Sequence, residues 1–130
     1  MQYPFLTSSR TRPHHLIVGQ EGENLAVSYL KSIGYSVRER NIRVGSDEID
    51  ILAHDPEDDV LVFAEVKART KKIGEGYHPE LMAVGEKRRR MRRAVRRWVA
   101  NHDYDGGYRM DLICVQENRV TNHFKELSWD

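Results

Sequence analysis

The stretch Val60-Leu61-Val62-Phe63-Ala64-Glu65-Val66-Lys67-Ala68-Arg69 decides the fold. Its first five residues are apolar, and such a run is typical of a strand that is buried on both faces of a sheet. The run continues into Glu65 and Lys67, which point to the same face because side chains alternate along a strand. Charges at the end of a core strand are costly unless they are paired, hydrated or bound to a metal. The sequence therefore predicts either an ion pair or a chemical site at this strand end.

A second strand is predicted just before the first, after a turn at Gly45-Ser46. In residues 48–53, Glu48 and Asp50 alternate with Ile49 and Ile51, so each pair is expected to share a face. Glu48 is interpreted either as an auxiliary contact to a metal or water, or as a solvated residue near the sheet edge.

The polar segment 54–59 contains a proline and joins the two strands, which predicts an antiparallel hairpin. This pairing is expected to bring Asp50 close to Glu65 and Lys67. Two carboxylates can bind an oxygen-preferring cation such as Mg²⁺ or Mn²⁺. A lysine beside them can orient an attacking water or offset negative charge on a phosphate.

Two amphipathic helices are predicted, the first over Gly19 to Ile33, with Gly34 as its C-terminal stop. Its apolar face is predicted to contain Ala26, Tyr29, Leu30 and Ile33. Glu23 lies in the first predicted turn. It is interpreted either as a carboxylate favoured by the helix dipole or as a third acid that leans toward the Asp50–Glu65 site.

The second helix is predicted over Glu86 to Asn101, and most of its surface is basic. Its buried stripe is predicted to contain Met91, Ala94, Val95, Trp98 and Val99. The predicted nucleic-acid contacts are Lys87, Arg88, Arg89, Arg92, Arg93 and Arg96. A merely solvated face usually mixes signs, whereas no acid occurs between Glu86 and Asp103. Arginine also matches phosphate geometry well, and such contacts position a backbone without reading sequence.

The remaining elements complete an α/β order of helix, three strands, helix and two strands. The further strands are predicted over Tyr35–Val44, as an edge strand, and over Tyr108–Val115 and Arg119–Phe124. Residues 70–85 are predicted to form a loop. Asp111 is interpreted as a cap or as the partner of a helix arginine. A helix between strands implies that part of the sheet is parallel.

Five motifs together resemble the YraN-type family, whose members are small bacterial proteins described as endonucleases of unknown role. The motifs are Gly22-Glu23, Gly34-Tyr35, Glu48-Ile49-Asp50, Phe63-Ala64-Glu65-Val66-Lys67 and the helix Lys87–Trp98. The resemblance covers roughly residues 19–127 and places the chain in the PD-(D/E)XK, or restriction-endonuclease-like, superfamily. Two positions depart from the usual pattern: Ile49 replaces the nominal proline before Asp50, and Ala64 replaces a bulkier aliphatic residue.

The resemblance implies a restriction-endonuclease-like core with a mixed sheet of about five strands and two main helices. It also implies a metal-dependent nuclease in which Asp50 and Glu65 bind Mg²⁺ or Mn²⁺. Glu23 and Lys67 complete the implied catalytic set, and Glu48 is auxiliary. The expected substrate is nucleic acid, with DNA favoured over RNA and structure recognised rather than sequence. Two alternatives remain open: a non-catalytic nucleic-acid-binding module, and a protein-interaction or assembly domain in which Trp98, Trp129 and the arginines contact an acidic partner.

The 130 residues suit one domain, which we predict over 19–130 after a flexible arm at 1–18. A formal net charge of +1 does not by itself indicate a nucleic-acid binder, so that prediction depends on the second helix. The single cysteine, Cys114, excludes an internal disulfide and a thiol-rich metal site. The chain has neither an apolar run of about 20 residues nor a signal-peptide pattern, which predicts a cytoplasmic protein without membrane contact. The sequence leaves open whether it forms a homodimer.

Overall fold

The computed structural model describes the backbone of residues 14–69 and 86–125, and the side chains of residues 20–68 and 88–125. Its elements are α1 (His14–Ser32), β1 (Ser36–Val44), β2 (Asp47–Asp55), β3 (Val60–Arg69), α2 (Glu86–Asn101), β4 (Tyr108–Gln116) and β5 (Arg119–Phe124). The predicted α/β class, the five strands and the two helices are confirmed. The loop predicted at residues 70–85 and the first part of the predicted arm, residues 1–13, lie outside the described residues.

The five strands form one mixed sheet in the order β1-β2-β3-β4-β5. Neighbouring strands are antiparallel except β3 and β4, which are parallel. Parallel neighbours need a crossover connection, and α2 lies in the connection between β3 and β4. β1 lies at the sheet edge, as predicted.

Helix α1 is longer than predicted at its N-terminal end, and one residue of its predicted apolar face is exposed. It begins at His14 rather than Gly19, so residues 14–18, which we predicted as part of a flexible arm, are helical. Gly34 ends the helix as predicted, with a φ of 97° and a hydrogen bond from the Tyr35 amide to the Leu30 carbonyl at 2.9 Å. Ile33 is 44% exposed, so its predicted place in the core is wrong. The reason is that Ile33 follows the last helical residue and lies in the turn before β1, so the helical spacing no longer sets its direction.

The two helices cover opposite faces of the sheet, because alternate residues of β3 pack into different clusters. Val62 and Ala64 pack with the α1 side, whereas Leu61 and Phe63 pack with the α2 side. The α2 cluster contains the predicted stripe Met91, Ala94, Val95 and Trp98, with Val99 partly buried beside it. Strand β3 is therefore buried on both faces, as its apolar run predicted.

The sheet divides at one point, which we call the strand fork. The β2–β3 ladder ends at the pair Ile51–Ala64. Beyond this pair, β2 continues along β1 to Asp47 and β3 continues along β4 to Arg69. Ile49 packs on the α2 side and Ile51 on the α1 side, so the predicted common face of these two residues is wrong. This change of side occurs at Asp50, where β2 no longer pairs with β3.

Helix α1 approaches the end of β3 closely at Gly22. A Cβ atom at this position would lie 2.6 Å from the Cβ of Ala68. Because real Cβ atoms do not approach so closely, only glycine fits without moving the helix away from the strand. The Gly22-Glu23 motif thus has a packing reason at the helix–strand contact.

Candidate active site

Asp50 and Glu65 lie at the strand fork, immediately beyond the last β2–β3 pair. The Asp50 carboxylate accepts a hydrogen bond from the backbone amide of Val66 at 2.8 Å. Here the side chain provides an acceptor where the ladder between the two strands has ended. Asp50 and Glu65 also line the same pocket, so the hairpin brings them together as the sequence suggested.

Glu65 and Lys67 share one side of β3, as the alternation predicted. The Lys67 Nζ lies 3.1 Å from the Glu65 Oε2. Only 5% of the Glu65 side chain and 16% of the Lys67 side chain are exposed. The ion pair that we considered as an alternative is therefore present, and it involves Glu65, one of the two carboxylates predicted to bind a metal.

The pocket at the fork, which we call the carboxylate pocket, has a volume of about 310 Å³. Its lining consists of Arg43, Ser46, Asp47, Glu48, Asp50, Glu65, Arg90 and Met91. Within residues 20–68 and 88–125, no three His, Cys, Asp or Glu side chains form a group that could hold a metal. Two carboxylates nevertheless fit Mg²⁺, because this ion usually keeps several waters and takes one or two carboxylates together with phosphate oxygens.

The predicted catalytic Glu23 and the predicted auxiliary Glu48 occupy different places. Glu48 is exposed and lines the carboxylate pocket beside Asp50. The Glu23 carboxylate instead pairs with Arg40 of β1 at 3.3 Å. Glu23 is not among the residues that line the carboxylate pocket. Its predicted catalytic role stays a prediction, and its observed contact is with β1.

The basic face of α2 forms a groove of about 350 Å³, which we call the arginine groove. It is lined by Arg89, Arg92, Arg93, Arg96 and Arg97. Their spacing of three, four, seven and eight residues places them on one helical face. Arg88 is half-buried and lies outside this lining, and the Lys87 side chain is outside the described residues. Four of the six predicted nucleic-acid contacts therefore share one surface.

Arg93 connects the arginine groove to the carboxylate pocket. Its Nε and one terminal nitrogen donate to the two carboxylate oxygens of Asp47 at 2.9 and 3.1 Å. The Arg93 hydrogen bond lowers the pKa of Asp47, with smaller contributions from the charges of Arg97 and Arg90. This two-point contact fastens α2 to the start of β2, so the groove and the pocket are adjacent.

Sequence reasoning missed Arg43 and Arg90, which both line the carboxylate pocket. Arg43 lies opposite Glu48 in the β1–β2 ladder. The two-residue turn between these strands begins at Gly45, which has a φ of 65°. That tight turn was a usable signal, because it fixes which β1 residue lies opposite Glu48. No sequence pattern distinguished Arg90 from the other arginines of α2, so its place in the pocket could not be predicted.

A second charged cluster, the Arg109 network, lies under the C-terminal end of α1. Arg109 donates to Asp55 and Asp58 at 3.1 and 3.0 Å, and to both oxygens of Asp111 at 2.9 and 3.1 Å. The partner of Asp111 is thus a strand arginine, and our expectation of a helix arginine is wrong. The two residues lie two apart on β4 and share a face, so no helix is needed to bring them together.

Two tyrosines and a histidine complete the Arg109 network. Arg109 also donates to the Tyr35 hydroxyl at 2.8 Å. The His123 ring contacts Asp111 through Nε2 and the Tyr29 hydroxyl through Nδ1, both at 2.8 Å. Burial raises the pKa of Tyr35 to about 12. Burial alone would raise the pKa of Asp55, but hydrogen bonds from the Glu57 amide, Arg109 and Tyr35 lower it overall.

Trp98 is only 8% exposed and packs edge-on against Phe63, with ring centroids 5.3 Å apart. It therefore belongs to the α2 core, and the idea that it is presented to an acidic protein is wrong. Trp129, the other residue of that hypothesis, lies outside the described residues.

Fold and site together define a small α/β protein with a polar pocket where two sheet strands separate. Residues 22–115 match the model of the uncharacterised protein family UPF0102. The chain therefore belongs to UPF0102, the YraN-like family that its motifs resemble. It is 38% identical over 110 residues to a UPF0102 protein of Pelobacter propionicus, covering 83% of this chain and 76% of that one. It is 43% identical over 101 residues to one of Streptomyces coelicolor, covering 75% of each chain.

Neither of the two described helices combines the length and the apolar character needed to span a bilayer.

Proposed function

We propose that this protein is a metal-dependent nuclease of the PD-(D/E)XK type, which hydrolyses phosphodiester bonds of nucleic acid. The observation that carries the proposal is the placement of Asp50, Glu65 and Lys67 together at the strand fork. The expected substrate is DNA rather than RNA, chosen by structure rather than by base sequence. The arginine groove next to the pocket supports a polyanionic substrate.

Each residue of the site has a role that its position permits. Asp50 and Glu65 would hold Mg²⁺ or Mn²⁺ against the pocket wall. When bound, the ion supplies positive charge to the phosphate oxygens and makes water more acidic. Lys67 lies 3.1 Å from Glu65, from where it orients the attacking water or offsets charge that develops on the phosphate. Glu48 supports the pocket as a water contact.

The decisive experiment is a cleavage assay on labelled single-stranded, duplex and branched DNA, and on RNA, in Mg²⁺, in Mn²⁺ and in EDTA. We expect cleavage of at least one DNA form, dependent on the metal. Glu65→Gln, which keeps the shape of the side chain, should lower the rate by roughly 10²–10³-fold, the usual loss for one charge-stabilising group. Glu57→Gln is the matched control, because Glu57 is an exposed glutamate in the β2–β3 turn. Cleavage by Glu65→Gln at the wild-type rate would eliminate the mechanism.

A second candidate function is a nucleic-acid-binding module that does not cleave. One observation favours it: both key acids already have partners inside the protein, Asp50 in the Val66 amide and Glu65 in Lys67. Salt-dependent binding of DNA, without cleavage in either metal, would support this second function over the first. The expected slope of log K against log salt is close to −0.9 for each duplex phosphate contacted.

A further inference from the structure

Two arginines share the carboxylate pocket with the acids. Arg43 comes from the end of β1, and Arg90 comes from the second turn of α2. Both residues are exposed, so their guanidinium groups are accessible to a ligand that enters from solvent. They reach the pocket from two different elements, whereas Asp50 and Glu65 come from β2 and β3.

The position of Arg90 is set by its neighbour one turn along α2. Arg93 lies three residues further on and is held by both oxygens of Asp47, whose side chain is only 3% exposed. Residues three apart lie on neighbouring positions of the same helical surface. The Asp47–Arg93 contact therefore holds this turn of α2, and Arg90 with it, over the start of β2.

Formal charges in the pocket balance until a cation enters. Arg93 pairs with Asp47, and Lys67 pairs with Glu65. The pocket lining also contains Glu48 and Asp50, and these two acids are equal in number to Arg43 and Arg90. A divalent cation then leaves an excess of positive charge, which favours an anion such as a phosphodiester. Cation binding and phosphate binding at this pocket should therefore be coupled.

We propose that Arg43 and Arg90 bind the phosphodiester group that enters the carboxylate pocket lined by Asp50 and Glu65. This inference rests on the proposed function and names two residues that hold the substrate within the same site. Arginine suits the role because its planar fork donates to two phosphate oxygens at once. The arginine groove holds flanking phosphates instead, so its residues contribute affinity without sensing the cation.

The test measures binding of fluorescein-labelled single-stranded and duplex DNA oligonucleotides in EDTA and in Ca²⁺, over a series of salt concentrations. We expect Ca²⁺ to raise the affinity of the wild-type protein. The double variant Arg43→Ala/Arg90→Ala should lose this increase. Arg89→Ala/Arg96→Ala should keep the increase but bind more weakly in both conditions, with a salt slope reduced by about two. Arg38→Ala/Arg119→Ala is the charge-matched control, because it removes two exposed arginines that line neither the carboxylate pocket nor the arginine groove, and it should keep the Ca²⁺ increase.

Three outcomes separate this inference from the proposed function. If the Arg43/Arg90 variant binds DNA and keeps the full Ca²⁺ increase, the phosphate-binding role is overturned. If both double variants lose the increase equally, the assignment to the pocket is likewise overturned. If no form of the protein binds any oligonucleotide at low salt, the proposed function itself fails. Equal thermal unfolding midpoints for all variants show that the comparison is between folded proteins.

Discussion

The Arg109 network and the carboxylate pocket, two charged clusters among the described residues, differ in their exposure to solvent. In the Arg109 network, the central guanidinium is 3% exposed and contacts three carboxylates and a tyrosine. In the carboxylate pocket, acids and arginines line an open volume of about 310 Å³. A closed network satisfies its charges internally and so stabilises one arrangement of the fold. An open pocket leaves room for an ion and a substrate, which is why only the second cluster is a candidate active site.

The largest loss of unfolding free energy is expected from a substitution at the centre of the Arg109 network. Arg109→Met removes the cation but keeps much of the apolar stem, and leaves Asp55 and Asp111 buried near each other. Breaking a buried charge pair in this way costs roughly 3–5 kcal/mol of unfolding free energy. Urea denaturation followed by circular dichroism measures the loss.

The comparison for Arg109→Met is Arg40→Met, because Arg40 pairs with Glu23 while its own side chain is 37% exposed. We expect Arg40→Met to cost about 0–1 kcal/mol, as for other surface pairs. Similar losses for the two variants would show that the Arg109 network does not behave as a closed cluster.

The next largest effect is on the stability of the protein at alkaline pH, to which Tyr35 of the Arg109 network contributes. The pKa of Tyr35 is raised to about 12 in the folded protein, from 10.0 ordinarily. Between these values the unfolded chain loses the phenol proton while the folded chain keeps it, so the unfolding free energy falls as pH rises. Below about pH 10 the contribution of the Tyr35 phenol to the unfolding free energy is fully present. By about pH 12 roughly 2–3 kcal/mol of that free energy is lost.

Tyr35→Phe should remove this part of the pH dependence, as measured by urea denaturation at several pH values from 9 to 12. Tyr108→Phe is the matched control, because Tyr108 is 41% exposed and lies outside the network. An unchanged alkaline slope in Tyr35→Phe would contradict the assignment of the effect to this hydroxyl.

A substitution beside the carboxylate pocket is expected to have a smaller effect on the unfolding free energy. Lys67→Met leaves the largely buried Glu65 without its 3.1 Å partner, which should cost about 1–3 kcal/mol of unfolding free energy. Because the neighbouring pocket admits a cation, Mg²⁺ should stabilise Lys67→Met more than it stabilises the wild type.

Thermal unfolding of Lys67→Met with and without Mg²⁺ measures this difference, and Lys31→Met, an exposed lysine on α1, serves as the control. If Mg²⁺ shifts the unfolding midpoints of wild type and Lys67→Met equally, then the cation does not compete with Lys67 for Glu65, which contradicts the prediction.

Much of this arrangement was accessible from local sequence patterns. The apolar run of β3, the alternation around Asp50 and the polar turn between the strands predicted the hairpin that brings Asp50 toward Glu65. The helical spacing from Met91 to Trp98 predicted the buried side of α2. These features depend on neighbours along the chain, so short-range periodicity is sufficient to predict them.

The strand fork and the Arg109 network were not accessible in this way. Alternation predicted a common face for Ile49 and Ile51, but the end of the β2–β3 ladder separates them. Arg109 and Tyr35 meet across 74 positions of sequence, and no local pattern specifies that contact. Arg90 enters the pocket because Asp47 fixes α2 through Arg93, which again depends on a long-range contact.

The hydrogen bond from the Val66 amide to Asp50 has a consequence for how this protein and its relatives change over time. Asp50 has a structural role at the strand fork, where β2 and β3 separate, and this role does not depend on any reaction. A relative without catalytic activity would still need an acceptor for that amide, so an aspartate at this position does not by itself identify an active enzyme. Asparagine retains an acceptor for the Val66 amide, whereas alanine removes it. Asp50→Asn is therefore the substitution that separates the structural role from the proposed metal-binding role.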